Sequence, residues 1–364
     1  MATVDPLLLE AELSLFSCAA GGDHQKLAEL LSQGVDPLSK NSRAVLLAAK
    51  NGHPECVALL APLSNLAAID SSALIEAACR GCSQSVSALL PFFEDHHGNN
   101  TKALALAANN GHAECVKLLI PVSNPKANDC DPLSLAAFRG HADCVALLAP
   151  VSDPTARQSY ALRQAAAAGH SDCVAILIPI SNPAALDSHA LELAAENGHA
   201  ACVALLAPIS DSKDHCSHAL RAAVQRRRID CVKILLPLSD PAAEDFEALR
   251  FASRAGDVDC VRLLLSATPS AFSNDQLLAD MSRIALRMGH FAVVTAVMEL
   301  SAALSARIDL RTERQYAINA SRLATVAFLD ALIDQREISK TLKPSLHDDD
   351  ASEANAQKLR GPRL

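Results

Sequence analysis

The stretch Ala107-Ala108-Asn109-Asn110-Gly111-His112-Ala113-Glu114-Cys115-Val116-Lys117-Leu118-Leu119 decides the fold, because the chain repeats it. Variants stand at Ala48–Leu60, Ala136–Leu148, Ala165–Leu177 and Ala194–Leu206, each with an Ala-Ala pair, a Gly-His step and a Cys-Val run. Registered on the turn, the repeats fall at Gly22, Gly52, Gly81, Gly111, Gly140, Gly169, Gly198, Arg227, Gly256, Gly289 and Ser321. The central step is 29 residues, with steps of 30 near the front and of 33 and 32 at the back. A period in this range marks stacked supersecondary units, each unable to bury its apolar face alone.

Each repeat reads as two helices. In one of them Asp187 and Ser188 offer an N-cap, and Ala190, Leu191, Ala194 and Ala195 form a stripe near helical spacing. Gly198 then ends the first helix, where a left-handed residue is needed. The second helix is read from about His199 to Ala207, burying Cys202, Val203, Leu205 and Leu206 and stopping before Pro208. The small alanines let neighbouring first helices approach closely, while the larger residues fill the space between layers.

The string Ala-Ala-x-x-Gly-His-x-x-Cys-Val-x-Leu-Leu is similar to the helix pair of the ankyrin repeat. Gly34-Val35-Asp36-Pro37 resembles the Gly-Ala-Asp opening of an ankyrin hairpin. The resemblance covers roughly residues 13–336 and implies an all-α, ankyrin-like helical-pair solenoid of about eleven repeats with reduced β-hairpins. Two departures stand out. Asp/Ser-x-x-Ala-Leu replaces the usual Thr-Pro-Leu-His, and the central repeats are shorter than the ankyrin length of about 33 residues. The hairpin is therefore expected to shrink to a tight loop around Pro-x-Ser-Asn/Asp-Pro. Residues 1–12 are expected to be an N-terminal cap, 13–336 the repeat array, and 337–364 a polar, disordered tail.

Half of the 364 residues are apolar, yet only 3% are aromatic and Trp is absent, so the core must be built from Ala, Leu, Val and Cys. The net charge of −9 is spread along the chain apart from Arg226-Arg227-Arg228 and Asp348-Asp349-Asp350, which disfavours nucleic acid as a partner. No apolar run reaches membrane-spanning length, and the start lacks the basic region of a secretory signal. Twelve cysteines without an export signal point to a reducing, cytoplasmic setting, and a monomer is expected. The near identity of the repeats suggests recent duplication, and with it a host-interacting, effector-like role, in the host cytoplasm if the chain is secreted.

Cys56, Cys115, Cys144, Cys173, Cys202, Cys231 and Cys260 share one repeat position. A thiol ladder for metal or redox work is the alternative function. However, helix layers lie about 8–10 Å apart, beyond the roughly 7 Å Cα limit for a disulfide, and one His and one Cys per layer give half of a zinc site. Buried, inert thiols are the expected reading. Each His is expected to open the second helix and to pack or hydrogen-bond near the preceding turn. Cys79-Arg80-Gly81-Cys82 spells a redox motif, but Cys82 falls where other repeats place His and Cys79 falls in an exposed slot. No catalytic constellation and no cofactor or metal site stand out, so no enzyme is expected.

The positions that refuse to repeat are the ones the fold does not dictate, and these are the candidate partner-binding residues. One series precedes the Ala-Leu pair and includes Arg43, Ser72, Lys102, Asp131, Tyr160, His189, His218 and Glu247. A second comprises Arg163, Glu192, Arg221 and Arg250. A third lies just before the turn, with Lys50, Arg80, Asn110, Phe138, Arg139, Glu196, Gln225, Arg226 and Arg254. All three are expected to line the concave face of the array, where a partner protein of unknown identity would sit. Phe138, Tyr160 and the arginines are the strongest candidates, since aromatics and Arg dominate interface hot spots. Arg226-Arg227-Arg228 is either an acid-binding patch or a local distortion where the glycine turn is lost.

Overall fold

The computed structural model describes residues 6–66, 71–93, 97–126, 131–210, 213–268, 271, 274–300, 310–319 and 322–338. The described residues form eleven helical pairs and contain no strand, which places the chain in the all-α helical-repeat class. They divide into two compact units, Met1–Ala219 and Leu220–Leu364, with the boundary inside one helix. Most of the expected tail lies outside the described residues.

In the first unit the first helices are α1 (Pro6–Gly21), α3 (Ser39–Asn51), α5 (Ser72–Arg80), α7 (His97–Asn109), α9 (Pro132–Arg139), α11 (Ala156–Ala168) and α13 (Ala185–Asn197). The second helices are α2 (His24–Ser32), α4 (Pro54–Leu60), α6 (Ser83–Leu89), α8 (Ala113–Leu119), α10 (Ala142–Leu148), α12 (Ser171–Leu177) and α14 (Ala200–Leu206). Residues 6–12, read from sequence as a separate cap, belong to α1. Within this unit each first helix packs on the next first helix, and each second helix on the next second helix.

Burial explains the repeated residues. The Ala-Ala pair is fully buried in α3, α5, α7, α9, α11 and α13, so no side chain holds neighbouring first helices apart. Cys, Val and the last Leu of α4, α8, α10, α12 and α14 are buried in the same way, and in α6 Ser85 takes the place of the Cys. Leu205 is an exception to the expected pattern, at 38% exposed. At about 100° per residue, Leu205 lies well off the centre of the arc formed by Cys202, Val203 and Leu206, and so falls on the flank of α14.

The turns are built from local hydrogen bonds. Gly198 caps α13 at φ 87°, while the amide of His199 donates to the Ala194 carbonyl at 2.9 Å and that of Gly198 to Ala195 at 3.3 Å, a Schellman arrangement. At its C-terminus α14 tightens into a 3-10 turn, Ala207–Ile209, and the proline sits inside that turn where its missing N–H costs nothing. The loop Asn/Asp then accepts from the amide two residues on, as at Asp153 to Thr155 (3.0 Å) and Asn182 to Ala184 (3.1 Å). Thr155 also donates its hydroxyl to Asp153, and these bonds hold that carboxyl below its ordinary range.

The expected N-cap at Asp187 and Ser188 is not formed. Leu186, Asp187 and Ser188 instead adopt left-handed angles, as do Lys40–Ser42 and Arg157–Ser159 in the first unit. Such residues cost about 1–2 kcal/mol each, and part of the compensation is visible at the last of them. The buried Ser42 hydroxyl accepts from the Asn65 amide at 2.9 Å, and Ser159 from Asn182 at 2.8 Å. The serine therefore ties its repeat to the loop of the next one.

A second tie recurs at the turns. His170 donates through Nε2 to the Phe138 carbonyl of the preceding repeat at 3.0 Å, and its ring lies over Gly140. The same clasp joins His53 to Ala20, His112 to Cys79, His141 to Asn109 and His199 to Ala167, at 3.0–3.1 Å. A carbonyl can only accept, so Nε2 carries the proton and Nδ1 faces the glycine. The histidine thus opens the second helix as expected, but the turn it engages is that of the previous repeat.

The second unit continues with α16 (Ile229–Leu235), α17 (Ala243–Ala255), α18 (Val258–Ala267) and the helices Asp275–Met288, Phe291–Leu300, Leu310–Asn319 and 323–338. Helix α15 (Lys213–Gln225) contains the boundary between the units. His290 clasps the Arg254 carbonyl at 3.1 Å over Gly256, and Arg322 takes the equivalent role on the Arg287 carbonyl at 2.5 Å. The glycine turn is retained at Arg227 without glycine: its φ is 57°, and the Arg228 amide donates to the Ala223 carbonyl at 2.8 Å. Arg227→Gly is expected to stabilise the chain by about 1 kcal/mol, since it removes the left-handed penalty at a modest entropic cost. A urea titration reads this directly, and a lower midpoint for the variant would contradict it.

Candidate protein-binding surface

The first helices present the candidate residues at their water-facing positions. Arg43 and Lys50 lie two helical turns apart on α3 and are both exposed, as are Arg80 on α5 and Lys102 on α7. Phe138 and Arg139 close α9 and are exposed, Phe138 at 46%. Tyr160 and Arg163 on α11, and His189 and Glu192 on α13, are half-buried. In the second unit Arg226 and Arg254 are exposed, while Arg221 and Arg250 are half-buried.

Several of these side chains are held by their own chain. The Arg139 guanidinium lies 5.7 Å from the Phe138 ring centroid and donates to Asn109 at 3.2 Å. Arg163 lies 5.5 Å from the Tyr160 ring centroid and donates to the Arg157 carbonyl at 2.9 Å. His189 meets Glu192 at 3.3 Å. In the second unit Arg221 pairs with Glu247 at 2.9 Å and with Glu244, and Arg250 pairs with Asp245 at 2.6 Å. Partly exposed pairs of this kind contribute little to stability, but they fix where the guanidinium sits. Arg254 lies 5.9 Å from the Phe251 ring, an aromatic neighbour that the sequence reading passed over. What emerges on α9 and α11 is a recurring element, an aromatic ring with an arginine set against it.

The thiol ladder is part of the core. Cys115, Cys144 and Cys173 are fully buried, and desolvation first of all, with neighbouring thiols and acidic groups acting in the same direction, pushes each thiol up to about 11. Cys260 is pushed up to about 12 by burial and then by Asp257. A thiol so protonated is a poor nucleophile and a poor metal ligand. Among the described residues no group of three or more His, Cys, Asp or Glu side chains is placed to hold an ion. Cys79 and Cys82 are half-buried; Cys82 Sγ lies 3.0 Å from the Ser85 hydroxyl, and Asn110 approaches Cys79 Sγ at 3.3 Å.

A cleft of about 270 Å3 in the second unit is lined by Leu286, Arg287, Glu313, Tyr316, Ala317 and Arg322, with Thr325. Its one carboxylate, Glu313, is taken up by Arg283 at 3.1 Å. Among the described residues no helix is long and apolar enough to cross a membrane.

A search of curated proteins gives no match. Among solved structures, the ankyrin repeat domain of human ASB11 is similar at 22% identity, covering 48% of this chain and 95% of that one, with a TM-score of 0.40. A family model described as ankyrin repeats in three copies matches residues 15–95, 74–158 and 191–275, more than half of the sequence. On the strength of that match, and of the helical pairs that carry it, the chain belongs to the ankyrin repeat family.

Proposed function

We propose that the chain is a protein-interaction module whose partner seats on the exposed face of the first helices, with Phe138 and Tyr160 as anchors. Ankyrin repeats are generally protein–protein interaction modules. The observation that carries the site is the exposed Phe138 ring: it is not part of the core, and Arg139 holds it against one side. Rigid aromatics with a neighbouring arginine are the usual anchors of an interface. Arg43, Lys50, Arg80 and Lys102 would extend the surface along the first unit, and their charge favours a partner with acidic groups.

A partner captured from the native source and measured against Phe138→Ala plus Tyr160→Ala is expected to bind more weakly by about 2 kcal/mol or more, roughly thirtyfold. Unchanged affinity would count against the site. The reading assigns the chain no reaction and gives the ladder cysteines a packing role. The proposed setting is the cytoplasm, where such thiols stay reduced.

A further inference from the structure

One row of side chains in the first unit is apolar in each of its last six repeats although the fold leaves much of it in water. It follows the proline of each turn after a second helix: Leu63, Phe92, Val122, Val151, Ile180 and Ile209. Leu63, Phe92, Ile180 and Ile209 are 48, 43, 41 and 40% exposed, and the proline before each of the six is exposed as well. Leu59 and Leu205, one helical turn earlier, are also exposed and widen the row. Helices α4, α6, α8, α10, α12 and α14 pack in succession, so the row is continuous. Scattered exposed leucines need no explanation, but a contiguous apolar band does.

The exposed charges on the second helices that carry the band have one dominant sign. Among the described residues, Glu55, Glu114, Asp143 and Asp172 are exposed in the first turn of their second helices and Asp153 in a loop, against Lys117 and Lys126, a balance of five acids to two bases. Two copies of such a surface repel each other, whereas a basic partner is attracted. The spacing selects its form. Packed helices lie about 8–10 Å apart, and an α-helix rising 1.5 Å per residue brings every seventh side chain round at about 10.5 Å. A helix laid across the second helices would therefore meet one apolar row position with each heptad.

We propose that this band is a docking surface, distinct from the first-helix face, for a basic amphipathic α-helix with an apolar residue every seven positions. The apolar side chains would enter between the exposed prolines, and the flanking Lys or Arg would face the row of carboxylates.

The test uses the full chain and a labelled synthetic peptide of roughly four heptads, with leucine at the repeat position and lysine on both flanks. Fluorescence anisotropy compares it with the same peptide carrying glutamate flanks. The lysine peptide is expected to bind at least about tenfold more tightly. Ile180→Ser plus Ile209→Ser is expected to weaken it about tenfold or more, as is Asp143→Lys plus Asp172→Lys, which alters only exposed carboxylates and leaves the packing intact. Leu186→Ser, an exposed apolar residue off the row, should leave binding unchanged. The proposal is overturned if the lysine peptide does not bind, if both peptides bind alike, or if sedimentation shows a dimer that Ile180→Ser plus Ile209→Ser abolishes, which would assign the band to a second copy of the chain.

Discussion

Gly140→Ala is expected to lower stability by about 2–3 kcal/mol, about 1 kcal/mol more than the same change at Gly52. Two penalties combine. The backbone at Gly140 has φ 81°, where a Cβ costs about 1–2 kcal/mol. That Cβ would also lie 2.4 Å from His170 Nδ1, so the ring must move and its bond to the Phe138 carbonyl is lost, worth about another 1 kcal/mol. Gly52 has a similar φ of 78°, yet an added Cβ there meets nothing within 4 Å, because the following repeat carries Cys82 in the histidine slot. Only the backbone penalty applies. Urea melts of both variants separate the contributions, and Gly140→Ala made in a His170→Ala background should fall to the Gly52→Ala cost. Equal costs for the two glycines in the wild-type background would falsify the clasp as an energetic link.

Alkaline titration is expected to unfold the first unit between about pH 9 and 11. Cys115, Cys144 and Cys173 are held at about 11 in the folded chain against an ordinary value of 9.0. Burial comes first among the causes, with Glu114, Asp143 and Asp172 acting in the same direction. The folded state keeps these protons where the unfolded state has shed them. Their contribution is therefore complete below pH 9 and is lost as pH rises through 11. Each thiol is worth on the order of 2–3 kcal/mol, and three together approach the stability of a whole domain, about 5–15 kcal/mol. Helicity by circular dichroism and thiolate absorbance should change together, and Cys144→Ala should make the transition less steep by about one proton. Alkylation at mild pH should reach Cys79 and Cys82 before any ladder thiol. With Cys79 and Cys82 already alkylated, thiolate appearing near pH 9 with full helicity would show that the ladder is open to water.

The parts of this fold legible in the sequence are those governed by local chemistry. The Ala-Ala pairs, the left-handed glycine and the breaking proline each have one physical explanation, so their spacing gives the helix pairs directly. The left-handed turn at Leu186–Ser188 was not legible, because its angles are imposed by closure between the loop and the next helix, while Asp-Ser before an Ala-Leu run reads as an ordinary cap. The histidine was misleading in another way. Gly and His are adjacent in sequence, which suggests a partnership within one repeat, whereas the glycine of one repeat meets the histidine of the next. For the candidate surface, the variable positions identified exposed side chains but not which arginines their own neighbours hold. The outer apolar band had a visible signal in the x of Pro-x-Ser, which is always apolar. Because it repeats, it resembles core, and only the fold places it in water.

The clasp also bears on how such a chain can lengthen. Each joint is completed by a glycine at the end of one cassette and a histidine inside the next, so a cassette carrying both fits between any two others of its kind. In-frame copying or loss of a 29-residue block, for instance at Gly140 to Gly169, leaves every surviving joint with both halves. Array length can then drift by whole cassettes without new compensating substitutions, while a joint lacking one half, such as Gly52 facing Cys82, marks a place where this interchangeability ends.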